Sequence, residues 1–152
     1  MKRIQRLRLM GTKPIEDMTQ GEAKQLAMLI DTDGCIYATK RNAGIRVGMC
    51  GIIPVIMAEM WGGRLHTRRT RNKIMYTWIL VRRELLRPFL IKIKPHLIQK
   101  QKQAELALKM CDILDEKPEG YKKQLEESKM EINKLNQAPA PDIDITKLKG
   151  IY

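Results

Sequence analysis

Apolar positions along this chain change their spacing several times, and each change marks an element. From Gln20 to Ile30 they recur at helical intervals, with Ala23, Ala27 and Ile30 on one narrow face and Leu26 and Leu29 on another. A helix apolar over most of its circumference must be buried on more than one side. Thr19 followed by Glu22 forms a capping box, in which hydroxyl and carboxylate each satisfy a backbone donor, so the helix starts near Gln20. After Gly34 the period becomes two. Cys35 to Arg41 alternates, Ile36 and Ala38 against Tyr37, Thr39 and Arg41; Asn42-Ala43-Gly44 reads as a turn, and Ile45 to Ile52 returns as a second strand.

Pro54 suits the first turn of a helix running to about Met60, which Gly62-Gly63 stops. A second hairpin follows. Arg64, His66 and Arg68 alternate with Leu65 and Thr67, and after a turn near Arg71-Asn72 a strand over 73–82 points Ile74, Tyr76, Trp78 and Leu80 at the core. From Arg83 the pattern is helical, broken by Pro88 and Pro95, and Ala104, Leu108 and Cys111 form a core-facing stripe. Pro118 to Asn136 predicts a further amphipathic helix. The order helix, two strands, helix, two strands, helices gives an α+β fold of type αββαββα, an antiparallel four-stranded sheet with helices on one face. The expected organisation is a basic N-terminal arm over 1–18, a core domain over 19–116, a C-terminal helix over 117–137 and a tail over 138–152.

Charge changes the picture. Lys and Arg number 29 against 17 acids, a net charge of +12, and such a surplus suits a polyanion, because each neutralised phosphate releases counterions. Alternate residues of the strands would collect Tyr37, Thr39, Arg41, Arg46, Arg64, His66, Arg68 and Thr77 on one sheet face. A solvated face explains any one of them; the collection fits strands laid in a major groove, where arginine reads guanine. No lipidation motif or long apolar run predicts a membrane partner. Cys35, Cys50 and Cys111 are odd in number and scattered, as reduced intracellular thiols are, and with His66 and His96 they make no zinc pattern.

Leu26 to Gly34 holds the candidate chemistry. It ends an apolar helix with Asp31 and Asp33, placing carboxylates where the helix macrodipole is already negative, and a cation would relieve the conflict. The structural alternative is a turn, with Gly34 as a left-handed C-cap. Seven of the nine residues Leu26-Ala27-Met28-Leu29-Ile30-Asp31-Thr32-Asp33-Gly34 match LAGLIDADG, so the stretch resembles the core motif of the LAGLIDADG homing endonucleases. A second run, Lys94-Pro95-His96-Leu97-Ile98-Gln99-Lys100-Gln101-Lys102-Gln103-Ala104, is similar to the lysine-rich helix of single-motif members.

The resemblance implies site-specific double-strand DNA cleavage with Mg2+ or another divalent cation, by a homodimer on a near-palindromic target, since one motif supplies one metal carboxylate. It puts the metal ligands at Asp33 and the Thr32 backbone carbonyl, the catalytic-site lysine at Lys100, and a structural role on Asp31. It assigns the sheet-face residues above to double-stranded DNA. Ala23, Ala27 and Ile30, the small-residue face of the motif helix, are expected at the homodimer interface. Met28 stands where the motif has glycine, and the apolar segment 49–55 replaces the polar side chains usual in relatives. A second reading is therefore a member that binds DNA without cutting, or a maturase-like binder of intron RNA.

Overall fold

The computed structural model describes residues 11–138. Helix α1 spans Gln20–Asp33 and begins at the expected capping box: the Thr19 hydroxyl accepts the Glu22 N–H, and the Glu22 carboxylate accepts the Thr19 N–H. Strands β1 (Gly34–Ala38) and β2 (Ala43–Met49), helix α2 (Ile53–Trp61), and strands β3 (Arg64–Arg69) and β4 (Ile74–Leu80) follow. Helices α3 (Arg83–Ile93), α4 (Gln101–Glu116) and α5 (Tyr121–Gln137) complete the described chain. The sheet is antiparallel throughout, in the order β1-β2-β4-β3. This is the expected αββαββα arrangement.

One sheet face carries Ile36, Ile45, Val47, Trp78 and Leu80, all fully buried under Ala27 and Ile30 of α1 and Leu86, Phe89, Leu90 and Ile93 of α3. The buried Trp78 Nε1 donates to the Gly62 carbonyl at 2.7 Å, so the largest core ring leaves no polar atom unmatched. Helix α5 packs on α4 and on β1, an edge strand, where the Asn136 amide donates to the Ile36 carbonyl at 2.9 Å. That contact satisfies an edge carbonyl which would otherwise be open to another chain.

Several expectations need correction. Residues 11–18 belong to the core domain, not to an arm: Ile15 and Met18 are buried, and the N–H groups of Thr12 and Lys13 donate to the carbonyls of Glu59 and Met60. Residues 1–10 and the tail beyond Ala138 lie outside the described residues. β1 ends at Ala38, because Thr39 turns the chain: its hydroxyl oxygen accepts the N–H groups of Arg41 and Asn42, and its N–H donates to the Asn42 carbonyl. Local side-chain to backbone bonds of this kind compete with the strand ladder. Ile74 is exposed, at the far end of β4. Pro88 does not break its helix. α3 runs through it, the lost hydrogen bond outweighed by the burial of Leu86, Phe89, Leu90 and Ile93.

The expected dimer face also fails. Ala23, Ala27 and Ile30 are 3%, 0% and 0% exposed within the single chain, facing its own core. The small residues let α1 pack closely on the sheet and α3, so they have no surface left for a partner. The outward face of α1 carries Lys24, Gln25, Met28 and Thr32 instead.

Candidate metal centre and nucleic-acid interface

Asp31 and Asp33 lie two residues apart at the end of α1 in opposite surroundings. The Asp31 carboxylate is 9% exposed and accepts three backbone N–H groups leading into α4, from Ile98 (2.7 Å), Gln99 (3.2 Å) and Lys100 (3.0 Å). Asp33 is exposed, and among the described residues no cation stands within salt-bridge distance of it. Among the described residues its one side-chain hydrogen-bond partner is the Thr32 hydroxyl, at 3.4 Å, which lies closer to the Met28 carbonyl, at 2.9 Å.

Lys100 is half-buried, and its Nζ donates to three carbonyls at the end of α1: Ile30 at 2.7 Å, Asp31 at 2.8 Å and Gly34 at 2.8 Å. The Thr32 carbonyl is outside that set. Burial pushes the Lys100 ammonium below the ordinary lysine value, opposed by the charge of Asp31. Gly34 is extended, not left-handed (φ −101°). It is required by close approach, since a Cβ there would stand 2.7 Å from the Ile30 Cα. The glycine that ends the motif thus lets β1 leave α1 immediately.

Cross-strand register sorts the other sheet face into rows. Cys35, Arg46, Ile79 and Arg64 lie directly opposite one another across all four strands; Gly48, Thr77 and His66 form the next row; Met75 and Arg68 follow. Gly34 pairs with Val47, one residue before Gly48, so Asp33 enters the sheet at the end carrying the Gly48, Thr77 and His66 row. On the other side Tyr37 pairs with Gly44, and Arg46 stacks on the Tyr37 ring at 5.3 Å. Burial holds the Tyr37 hydroxyl above its usual pKa against the charges of Arg46 and Arg64.

Six of the eight expected contacts, Tyr37, Arg46, Arg64, His66, Arg68 and Thr77, therefore share one face. Thr39 and Arg41 do not; they sit in the β1–β2 turn, where the Thr39 hydroxyl is already engaged. Cys35, Met75 and Ile79 were not singled out, although the alternation that placed their neighbours placed them too.

Solved structures match this arrangement. I-CvuI, in complex with an I-CreI target in the presence of 2 mM Mg with the DNA not cleaved, is 21% identical with a TM-score of 0.66, over 86% of this chain and 94% of its own. I-CvuI with its own target in the presence of 2 mM Ca is 19% identical with a TM-score of 0.65, over 86% and 91%. This chain has the LAGLIDADG homing endonuclease fold. I-SmaMI, bound to uncleaved DNA in the presence of calcium ions, is 18% identical with a TM-score of 0.57, over 80% of this chain but only 52% of its own, longer chain. No protein-family model matches the chain, and neither does any curated protein.

At the end of α1 the chain offers one open carboxylate, Asp33, beside the engaged Asp31. Among the described residues no three His, Cys, Asp or Glu side chains gather to hold a metal. Asp33 and the Thr32 carbonyl could supply oxygen donors alone, a chemistry that suits Mg2+ or Ca2+ over zinc. Among the described residues no helix is long and apolar enough to cross a membrane.

Proposed function

We propose that the protein is a homing-type, site-specific DNA endonuclease that works as a homodimer and hydrolyses phosphodiesters with Mg2+. The observation that carries the reading is Asp33. It is an exposed carboxylate without a cationic partner among the described residues, at the negative end of α1 and beside a basic sheet face. A divalent cation there would offset both the carboxylate and the helix dipole, activate water and screen the leaving oxygen. Arg46, Arg64, His66, Thr77 and Arg68 would meet base edges and phosphates of the bound duplex.

Two strands need two carboxylates, so the second Asp33 comes from a second copy related by a twofold axis, and the target is near-palindromic. The outward face of α1 suits that partner. Met28 is 56% exposed, and beside it a groove of about 310 Å³ between α1 and α2 is lined by Gln25, Leu29, Ile53, Ile56 and Met60. Exposed apolar side chains gathered beside Met28 suit an interface between two copies.

Cleavage of a randomised near-palindromic duplex library with Mg2+, wild type beside Asp33→Asn, tests the reading. Discrete twofold-related ends that vanish in the variant are expected. Duplexes enriched equally by both proteins and never cut would overturn it. They would favour the second reading, a binding protein of DNA or intron RNA on the same scaffold, for which the apolar segment after β2 speaks: Ile52 is 65% exposed there, where a water-organising site would have polar groups.

A further inference from the structure

Two charges are exchanged between the end of α1 and the start of α4. The anion, Asp31, belongs to α1 but its carboxylate sits on the N–H groups of Ile98, Gln99 and Lys100, the turn that enters α4; the cation, Lys100, is the N-cap of α4 but its ammonium sits on carbonyls at the end of α1. Each charge therefore lies at the helix end of opposite sign. An ammonium has three protons and no acceptor, and here each proton faces a carbonyl at 2.7–2.8 Å. To reach a phosphate or a water, Lys100 would have to surrender three bonds to part-buried carbonyls, of which Ile30 would keep the Gly34 N–H.

The three acceptors are also placed to matter. Ile30 and Asp31 precede Thr32 and Asp33, and Gly34 follows them, so the ammonium brackets the two residues assigned to the metal without touching either. Gly34 admits no Cβ against Ile30, which narrows the paths the backbone can take.

We infer that Asp31 and Lys100 form a reciprocal helix cap that positions Asp33, and that Lys100 is a positioning residue acting through the metal carboxylate instead of touching the reacting atoms. The inference rests on the endonuclease reading for its effect on cleavage, and on the fold alone for its effect on the backbone.

The test uses the full chain as wild type, Lys100→Met, Lys100→Arg and Asp33→Asn, with two readouts. The first is backbone amide exchange over 32–35, which should speed up in Lys100→Met, partly recover in Lys100→Arg and stay at the wild-type rate in Asp33→Asn. The second is the Mg2+ dependence of cleavage on a duplex recovered from the library. Lys100→Met should raise the half-saturating Mg2+ roughly tenfold to a hundredfold, as loss of a ligand-orienting group does, with the rate at saturating Mg2+ and its pH profile retained.

A lower rate at saturating Mg2+ with a shifted pH profile and an unchanged Mg2+ requirement would overturn the inference, placing Lys100 on the phosphate or the water. Unchanged exchange over 32–35 would overturn it as well. Should the wild type cut no duplex, the endonuclease reading fails on its own, and amide exchange still decides the cap. If Lys100→Met does not fold, Lys100→Arg serves: a planar guanidinium cannot meet three converging carbonyls as an ammonium does, so it should show both effects in smaller measure.

Discussion

The junction of α1 with α4 and the open face of the sheet spend polar side chains in opposite ways. At the junction the charges of Asp31 and Lys100 find their partners inside the chain: three N–H groups on Asp31, three carbonyls on Lys100. On the open face Arg64, His66 and Arg68 make no side-chain hydrogen bond or ion pair among the described residues, and Arg46 has only the Tyr37 ring. The difference separates residues that hold the fold from residues that await a ligand. A paired buried charge is costly to break, while an unpaired exposed one is cheap to remove until a partner arrives.

The sharpest way to break the comparison is at the junction. Asp31→Ala strips the acceptor from three backbone donors at once and leaves Lys100 without its nearest counter-charge. The expected loss of stability is about 3 kcal/mol, read from chemical denaturation of the two proteins. A loss within experimental error would mean that water satisfies the start of α4 as well as the carboxylate does.

The opposite substitution on the open face should spare stability and cost binding. Arg46→Ala and Arg64→Ala flank Ile79 in one row and should each weaken binding of a cognate duplex by about 1–3 kcal/mol where the guanidinium reads a base. Where it meets a phosphate, loss should be uniform across sequences, with the salt slope reduced by about one. Fluorescence anisotropy across a salt series distinguishes the two. An unchanged affinity for both variants would remove this row from the interface.

How far the sequence reached follows the same division. Strand alternation needs only a period, so Ile36, Ile45, Val47 and Trp78 were legible as core and Arg46, Arg64 and His66 as their opposites. The capping box is local in sequence and appeared where expected. What stayed hidden depends on contacts far along the chain. The Asp31 and Lys100 exchange spans 69 residues, and nothing in either segment's spacing shows that a lysine at one helix start will cap another helix. The dimer face was misread for a related reason. Helical spacing puts Ala23, Ala27 and Ile30 on one side of α1 but does not say whether that side meets a partner or the chain's own sheet. Thr39 and Arg41 were lost to a turn whose hydrogen bonds outcompeted two more residues of alternation.

Gly44→Ala probes the seam between structure and recognition, because Gly44 is buried beneath a residue of the open face. A Cβ there would lie 2.6 Å from a Val81 methyl and 2.8 Å from the Tyr37 ring. Both are side-chain atoms, so the neighbours can shift. The expected cost is about 1–2 kcal/mol of stability, with Tyr37 tilted off the sheet and its stacking with Arg46 lost. Duplex binding should weaken alongside, measured on the same anisotropy series. Intact binding with reduced stability would place Tyr37 on the structural side of the division.

The smallest effect lies at the other end of α1, where a half-buried charged group is satisfied near the surface. Glu22 accepts a hydrogen bond from Lys13 and another from the Thr19 N–H, and these hold its carboxyl well below the usual range, at about 2 against 4.5. A carboxyl whose pKa is depressed by folding contributes stability that is fully present above its unfolded value and is lost as pH falls through the folded one. The contribution should therefore be complete above pH 4.5 and fade towards pH 2. Glu22→Gln removes the titration, so the gap between wild type and variant in urea midpoint should be widest near neutrality and close as pH falls. Thr19→Ala, which removes the other half of the capping box, should cost about 1 kcal/mol with far less pH dependence. A gap for Glu22→Gln that stayed constant down to pH 2 would mean the carboxylate's charge adds nothing to its hydrogen bonds. The N-terminal cap of α1 would then be a neutral device, unlike the exchange between Asp31 and Lys100 and unlike the ion pairs of Arg83 and Arg87 with Asp112 and Asp115 that join α3 to α4.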